Sequence, residues 1–211
     1  MLTPVVSIAP GAMILIGGAE DKKGDRAILR EVAKRVGDGC IVIATLASEE
    51  PERQWERYST VFCDLGVGRL EHLSIQEREH ANCESLRRMV SGAQGIFFTG
   101  GDQVRIATKL GGTPLFSLIR SMHQSGKLIL AGTSAGASAM GETMLVSHGT
   151  RQQAHRVESA FFMARGLGLV RDLVIDQHFA QRARIERLVS AIAENPGVLG
   201  IGIDEDTAIV L

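Results

Sequence analysis

Five short runs in this chain are almost continuously apolar, and their lack of alternation is what most limits the fold. They are Ala12–Gly18 (AMILIGG), Cys40–Leu46 (CIVIATL), Gly95–Gly101 (GIFFTGG), Lys127–Gly132 (KLILAG) and Asp172–Asp176 (DLVID). A strand with one wet face alternates apolar and polar residues. These do not, so both faces are expected to be buried, as in a parallel sheet covered by helices. The segments between them supply the covers. Asp25–Val36 sets Ile28, Val32 and Val36 on one face, and Pro114–Gly126 starts on a proline and stops on a glycine. Arg182–Glu194 sets Ile185, Leu188, Val189 and Ile192 on one stripe. Strands alternating with helices predict an open α/β sheet flanked by helices on both faces. The 211 residues suit one such domain, and no repeat or low-complexity linker divides them. A last apolar run, Asp206–Leu211 (DTAIVL), reads as a strand. Edge strands are usually covered or charged, so a further C-terminal segment is expected to be missing.

Composition removes several function classes. A formal net charge of -1, no long basic runs and 4% aromatic residues argue against a nucleic-acid partner. No apolar stretch is long enough to span a bilayer, and the N-terminus lacks the basic start of a signal peptide. Three cysteines without a C-x-x-C pair predict a reduced, cytoplasmic setting, with Cys40 and Cys63 expected in the core. Neither a metal-ligand spacing nor a dinucleotide or P-loop fingerprint is present, so no metal and no cofactor is expected.

The chemistry concentrates where the fourth apolar run ends. In Leu128–Met140 (LILAGTSAGASAM), Ser134 stands between Gly132 and Gly136, and Ala135, Ala137 and Ala139 follow. Gly-x-Ser-x-Gly after a strand predicts a tight strand-to-helix turn that lifts a serine hydroxyl above the sheet edge. Small neighbours are needed because strand and helix approach closely there. The Ala135 N–H, at the helix start, is a candidate oxyanion donor. The plainer alternative is a helix N-cap.

A nucleophilic serine needs a base, and the base needs an orienting group. Among six histidines, His178 stands just past the run LVIDQ, on the same rim as Ser134, where it is expected to open the next helix. His72, His80 and His123 are expected to be solvated, and His148 and His155 are weaker alternatives for the base. Acids are available in Asp204-Glu205-Asp206 and at Asp176. An acid from the final turn gives the order serine, histidine, acid. The α/β-hydrolases use serine, acid, histidine, so this chain is not expected to be one.

Four blocks carry a wider resemblance: FFTGGDQ, GTSAGASAM, IDQHFAQRARIERL and GIGIDEDTA. In this order, and with LIGGAEDK near the start, they resemble the serine peptidase family that contains cyanophycinase and aspartyl dipeptidase. The resemblance implies a flavodoxin-like α/β fold. It implies Ser134 as nucleophile, His178 as base and Glu205 as the residue orienting His178. It also implies hydrolysis of β-aspartyl linkages, with cyanophycin or another β-aspartyl peptide as substrate, and a homodimer. Cyanophycin is a poly-aspartate chain with arginines on its side-chain carboxylates, cut into β-aspartyl-arginine dipeptides. The alternatives are a dipeptidase acting on small aspartyl or isoaspartyl dipeptides, and a non-enzymatic binding module with the same pocket.

Substrate contacts are expected at both ends of this set. Gly101 is a candidate second oxyanion donor, and Gln103 a hydrogen-bond partner for the substrate backbone. Asp176 and Gln177 belong to the pocket by resemblance. Arg182, in the first turn of a helix whose dipole disfavours a cation, is expected to hold a substrate carboxylate. Arg184 and Arg187 are favoured by the resemblance, although the helical wheel turns them outward.

Overall fold

The computed structural model describes residues 11–147 and 161–211. Successive residues of its central strands enter different cores, which is why the apolar runs do not alternate. Strand β1 (Met13–Ile16) sends Met13 and Leu15 into one cluster and Ile14 and Ile16 into another. Strands β2 (Cys40–Ala44), β4 (Gly95–Phe98) and β5 (Ile129–Thr133) divide the same way. Helix α1 (Ala27–Val36) and helix α2 (Pro51–Asp64) cover one face with Leu29, Val32, Val36, Tyr58 and Phe62. Helices α3 (Glu84–Ser91), α4 (Gln103–Leu110) and α5 (Pro114–Gln124) cover the other. Each fully buried Leu, Ile or Phe contributes about 1.5–3 kcal/mol, so this two-faced burial dominates stability.

The first sheet runs β10-β1-β5-β4-β2-β3, where β3 is Arg69–Leu73 and β10 is Ala208–Val210. Only β10 is antiparallel, pairing Ile14 with Val210. A second sheet has the order β7-β6-β8-β9, formed by β6 (Gly141–Ser147), β7 (Phe161–Arg165), β8 (Val170–Gln177) and β9 (Leu199–Ile203). Met144, Leu173, Ile175 and Ile203 from this sheet complete the larger core. Helix α7 (Ile185–Glu194) closes its other side through Leu188 and Ala191. The α/β class with helices on both faces therefore holds, but the run at Asp172–Asp176 belongs to a separate sheet.

Several local expectations change. Ile185 and Val189 are 61% exposed, because α7 turns Leu188 and Ala191 inward instead. Cys63 is exposed while Cys40 is buried. His123 is fully buried on α5, with Nδ1 3.0 Å from the Leu128 carbonyl oxygen. Burial lowers its pKa below the ordinary 6.5. Among the described residues, no helix is long and apolar enough to cross a membrane.

Candidate active site

The turn after β5 has the shape that its small residues require. A Cβ on Gly132 would stand 2.6 Å from the Gly136 carbonyl carbon, and one on Gly136 would stand 2.3 Å from the Phe98 carbonyl oxygen. The two glycines let the four-residue helix α6 (Ala135–Ser138) settle against β5 and β4. Ser134 is held there at φ 54 and ψ -113, a backbone region that non-glycine residues rarely adopt. Such a residue costs about 1–3 kcal/mol, which the surrounding structure must offset. Its N–H donates to the Ile16 carbonyl at 2.9 Å, and its carbonyl accepts from Ala137 and Ser138 N–H at 3.1 Å.

His178 arrives from the second sheet. It follows β8 at φ 49, and its N–H donates to the Gly17 carbonyl at 2.9 Å, which ties it to the first sheet. It does not open a helix, since a 3-10 turn over Ala180–Arg182 precedes α7. Its Nε2 lies 2.8 Å from Ser134 Oγ, and its Nδ1 lies 2.6 Å from Glu205 Oε1. The tautomer that satisfies both bonds carries its proton on Nδ1, donated to Glu205, leaving Nε2 to accept from the serine hydroxyl. Burial lowers the His178 pKa below 6.5 and outweighs the opposing effect of its hydrogen bond to Glu205. An attractive carboxylate alone would have raised it, so desolvation decides the sign.

The three acids after β9 are each committed. The segment is not a hairpin turn, because β9 lies in the second sheet and β10 in the first. Asp204 accepts from Ala180 N–H at 2.8 Å, and Asp206 accepts from Asp21 N–H at 2.8 Å. Glu205 is left facing His178, with its own N–H donated to Gln181 Oε1 at 3.0 Å. His148 and His155, the weaker base candidates, lie outside the described residues.

Gly18 is a member of this site that sequence reasoning missed. At φ +108, a Cβ there would fall 2.3 Å from His178 Cε1 and 2.5 Å from Nε2. Its carbonyl also accepts from Asp206 N–H at 2.9 Å. The available signal was the glycine pair directly after β1, on the rim where ligands of such sheets gather. Glu20, two residues on, was missed as well. Its buried carboxylate accepts from Tyr58 Oη and Thr133 Oγ1, both at 2.6 Å, and pairs with Lys22 at 2.9 Å. Burial and the Glu20 charge push the Tyr58 pKa well above 10.0. Thr133 immediately precedes Ser134, so this network braces the base of the turn.

Other residues singled out in the sequence fall into distinct places. A Cβ on Gly100 would stand 3.5 Å from Ser134 Cβ, so Gly100 lies beside the serine. Gly101, at φ +141, lies against the Ala47 carbonyl oxygen, where a Cβ would come within 2.2 Å. Ala135 is the first residue of α6, where N–H groups lack intrahelical acceptors. Asp102 caps α4 by accepting from Val104 N–H at 2.8 Å, and Gln103 donates to the Leu145 carbonyl at 2.9 Å.

The arginines reverse the expectation from the helical wheel. Arg182 is exposed and lies in the 3-10 turn before α7, so the helix-dipole argument does not apply to it. Arg184 is buried, and its guanidinium donates to Asp176 Oδ1 at 3.2 Å and to Gln177 Oε1 at 2.6 Å. Arg187 grips the same carboxylate, donating from Nε to Asp176 Oδ2 at 2.7 Å, and it reaches Ser147 Oγ at 2.6 Å. Burial, with Arg187 alongside, lowers the Arg184 pKa to about 10. Asp176 is completely buried as the counter-ion of both. No group of three or more metal-binding side chains occurs among the described residues.

A serine, histidine and carboxylate in hydrogen-bond series at the strand ends of an α/β sheet have the geometry of a serine hydrolase site. Residues 13–211 match the model of Peptidase family S51. A cyanophycinase from Trichormus variabilis is 44% identical over 201 residues, covering 94% of this chain and 67% of that protein. The cyanophycinase of Thermosynechococcus vestitus is 42% identical over 199 residues, covering 93% and 61%. Among solved structures, a peptidase from an acI-B1 Actinobacterium has a TM-score of 0.73 at 25% identity, over 95% of this chain and 83% of that one. A putative peptidase E protein from Listeria monocytogenes EGD-e shares the fold, with a TM-score of 0.63 at 18% identity, over 95% and 94%. The chain belongs to peptidase family S51 and is a peptidase. It spans about two thirds of the length of the cyanophycinases it matches.

Proposed function

We propose that this peptidase is a serine-type exopeptidase that hydrolyses the β-aspartyl-arginine polymer cyanophycin and releases β-aspartyl-arginine dipeptides. The hydrogen-bond chain Ser134–His178–Glu205 carries the reading, and the cyanophycinase relatives supply the substrate. Neutral His178 takes the hydroxyl proton as Ser134 Oγ attacks the scissile carbonyl. Glu205 holds the imidazole and stabilises its cationic form. Negative charge on the carbonyl oxygen is met by the Ala135 N–H and by the Gly101 N–H of the glycine pair beside the serine. His178 then protonates the leaving amine, and water, deprotonated by the same histidine, releases the acyl group from Ser134. Gln103, Gln177, Arg182, Arg184 and Arg187 hold the substrate, with Asp176 fixing buried Arg184 and half-buried Arg187.

Ser134→Ala tests the reading. It removes one oxygen and should lower kcat on cyanophycin by up to about 10⁶-fold with the fold retained. Dipeptide release, followed by mass spectrometry, that persists in the purified variant would overturn the nucleophile assignment. A cytoplasmic setting is supported by three cysteines free of disulfides. A homodimer is supported by the apolar surface of Ile185 and Val189 on α7, and light scattering of wild type against Ile185→Glu tests it.

A further inference from the structure

A cleft of about 360 Å³ opens at the C-terminal ends of β2 and β3, lined in part by Thr45, Ser48, Glu49, Glu77, Arg105 and Lys109. A Cβ on Gly101 would stand 3.0 Å from Ser48 N, and Gly100 lies beside Ser134, so only two glycines separate the cleft from the serine. Asp102 N–H fixes this junction by donating to the Ala47 carbonyl at 2.9 Å. The Asp176–Arg184–Arg187 cluster belongs to the second sheet, whereas the cleft belongs to the first. Helix α6, in contact with β5 and β8, lies between them.

Lys109 in the cleft donates to the Ile75 carbonyl at 2.7 Å, but the Glu49 and Arg105 charges are available to a ligand, unlike the buried acids around the serine. Asp176 is occupied by two arginines, and Glu20 by Tyr58, Thr133 and Lys22. Glu49 and Arg105 meet each other at 2.7 Å, but the Glu49 side chain is 82% exposed and that of Arg105 38%. An exposed pair of this kind adds little to stability, so exchanging its partners for ligand charges costs little. The arginine arm of a β-aspartyl-arginine unit ends in a guanidinium and a carboxylate, the same two charges. The reach also fits. With neighbouring strands about 4.8 Å apart, β2 and β3 lie roughly 10–14 Å from β5. An aspartyl-arginine arm is about as long as three extended residues, roughly 10 Å.

We propose that this cleft is a second substrate subsite, which takes the arginine arm of the unit across the scissile bond from the one held at the Arg184 cluster. The guanidinium binds Glu49 and the carboxylate binds Arg105. The inference rests on the cyanophycin-hydrolase reading above.

Two substrates separate it from that reading. A β-aspartyl-arginine trimer spans the cleft, while the anilide formed on the aspartyl α-carboxyl of a single β-aspartyl-arginine unit does not reach it. In Arg105→Glu and in Glu49→Lys, the ratio of kcat/KM on the trimer to that on the anilide should fall at least about tenfold, mainly through KM. The double variant Glu49→Arg/Arg105→Glu restores the ion pair with reversed polarity and should leave the ratio low. An unchanged ratio in both single variants, or its recovery in the double variant, overturns the subsite. Wild-type protein whose Ser134 labels with a fluorophosphonate but which cleaves neither substrate overturns the cyanophycin reading, and the subsite with it.

Discussion

Replacing Gly18 with alanine should separate the hydrolytic site from the fold that carries it. The new methyl group would lie 2.3 Å from His178 Cε1 and 2.5 Å from Nε2, against an ordinary contact of 3.4 Å or more. The imidazole must therefore retreat by roughly 1 Å, because the ring moves more easily than the backbone around Gly18. The Ser134–His178 hydrogen bond, 2.8 Å in the structure, then stretches to the edge of useful geometry. A misplacement of about 1 Å costs on the order of 10²-fold, and full loss of the base costs up to about 10⁶. The expected fall in kcat/KM is about 10²- to 10⁴-fold. Alanine at φ +108 also carries about 1–3 kcal/mol of backbone strain. For a domain of this size that lowers Tm by roughly 2–12 °C and leaves a folded protein at 25 °C. The assay pairs cyanophycin hydrolysis and fluorophosphonate labelling with thermal denaturation on one preparation. Activity within about fivefold of wild type in a folded Gly18→Ala protein would refute the claim that this glycine makes room for the base.

The pH dependence of kcat/KM should show a limb that rises with pH, because the base acts when neutral, with its midpoint below 6.5 since burial lowers the His178 pKa. Glu205→Gln should move that midpoint further down, because the carboxylate opposes the shift; a midpoint above 6.5 in wild type contradicts the assignment. Asp176→Asn strips Arg184 and Arg187 of their buried counter-ion and should cost about 3–5 kcal/mol, read as a lower urea midpoint. A loss below about 1 kcal/mol would show that water already satisfies those arginines. Glu20→Gln leaves the buried Tyr58 and Thr133 hydroxyls with a weaker acceptor and should cost about 1–3 kcal/mol, with kcat falling because Thr133 precedes Ser134. Wild-type kcat in that variant would remove Glu20 from the support of the turn. Folding stability should also fall as pH drops below 6.5, because the unfolded chain then binds protons that buried His123 and His178 refuse. Chemical denaturation at pH 5 and pH 7 measures it.

Much of the reacting set was legible locally. Ser134 announced itself through the small residues on both sides, because a close crossing of strand and helix leaves a mark in adjacent positions. His178 was legible as a residue past a strand end, but its pKa was not, since desolvation depends on what folds over the ring. Glu205 could not be chosen from Asp204 and Asp206 without the resemblance. The choice depends on which backbone N–H each carboxylate meets, and those donors, Ala180 and Asp21, are 24 and 185 residues away. Arg184 and Arg187 were misjudged because the wheel took Ile185 and Val189 as part of the inward stripe, whereas Arg184 precedes α7 and the helix turns Leu188 and Ala191 inward.

The order of apolar and amphipathic segments by itself determined a helix-covered α/β protein, because burial on two faces removes alternation from each strand. It also determined where a serine could be lifted above the rim. Tertiary structure alone decided that β6 to β9 form a second sheet, and that the final turn crosses between the sheets to bring Glu205 to His178. It also decided that Gly18 clears the space for that histidine. The physical reason is range. Strand and turn chemistry is set by neighbours within a few residues, whereas a hydrogen bond between groups 44 positions apart is set only when both sheets pack on a common core.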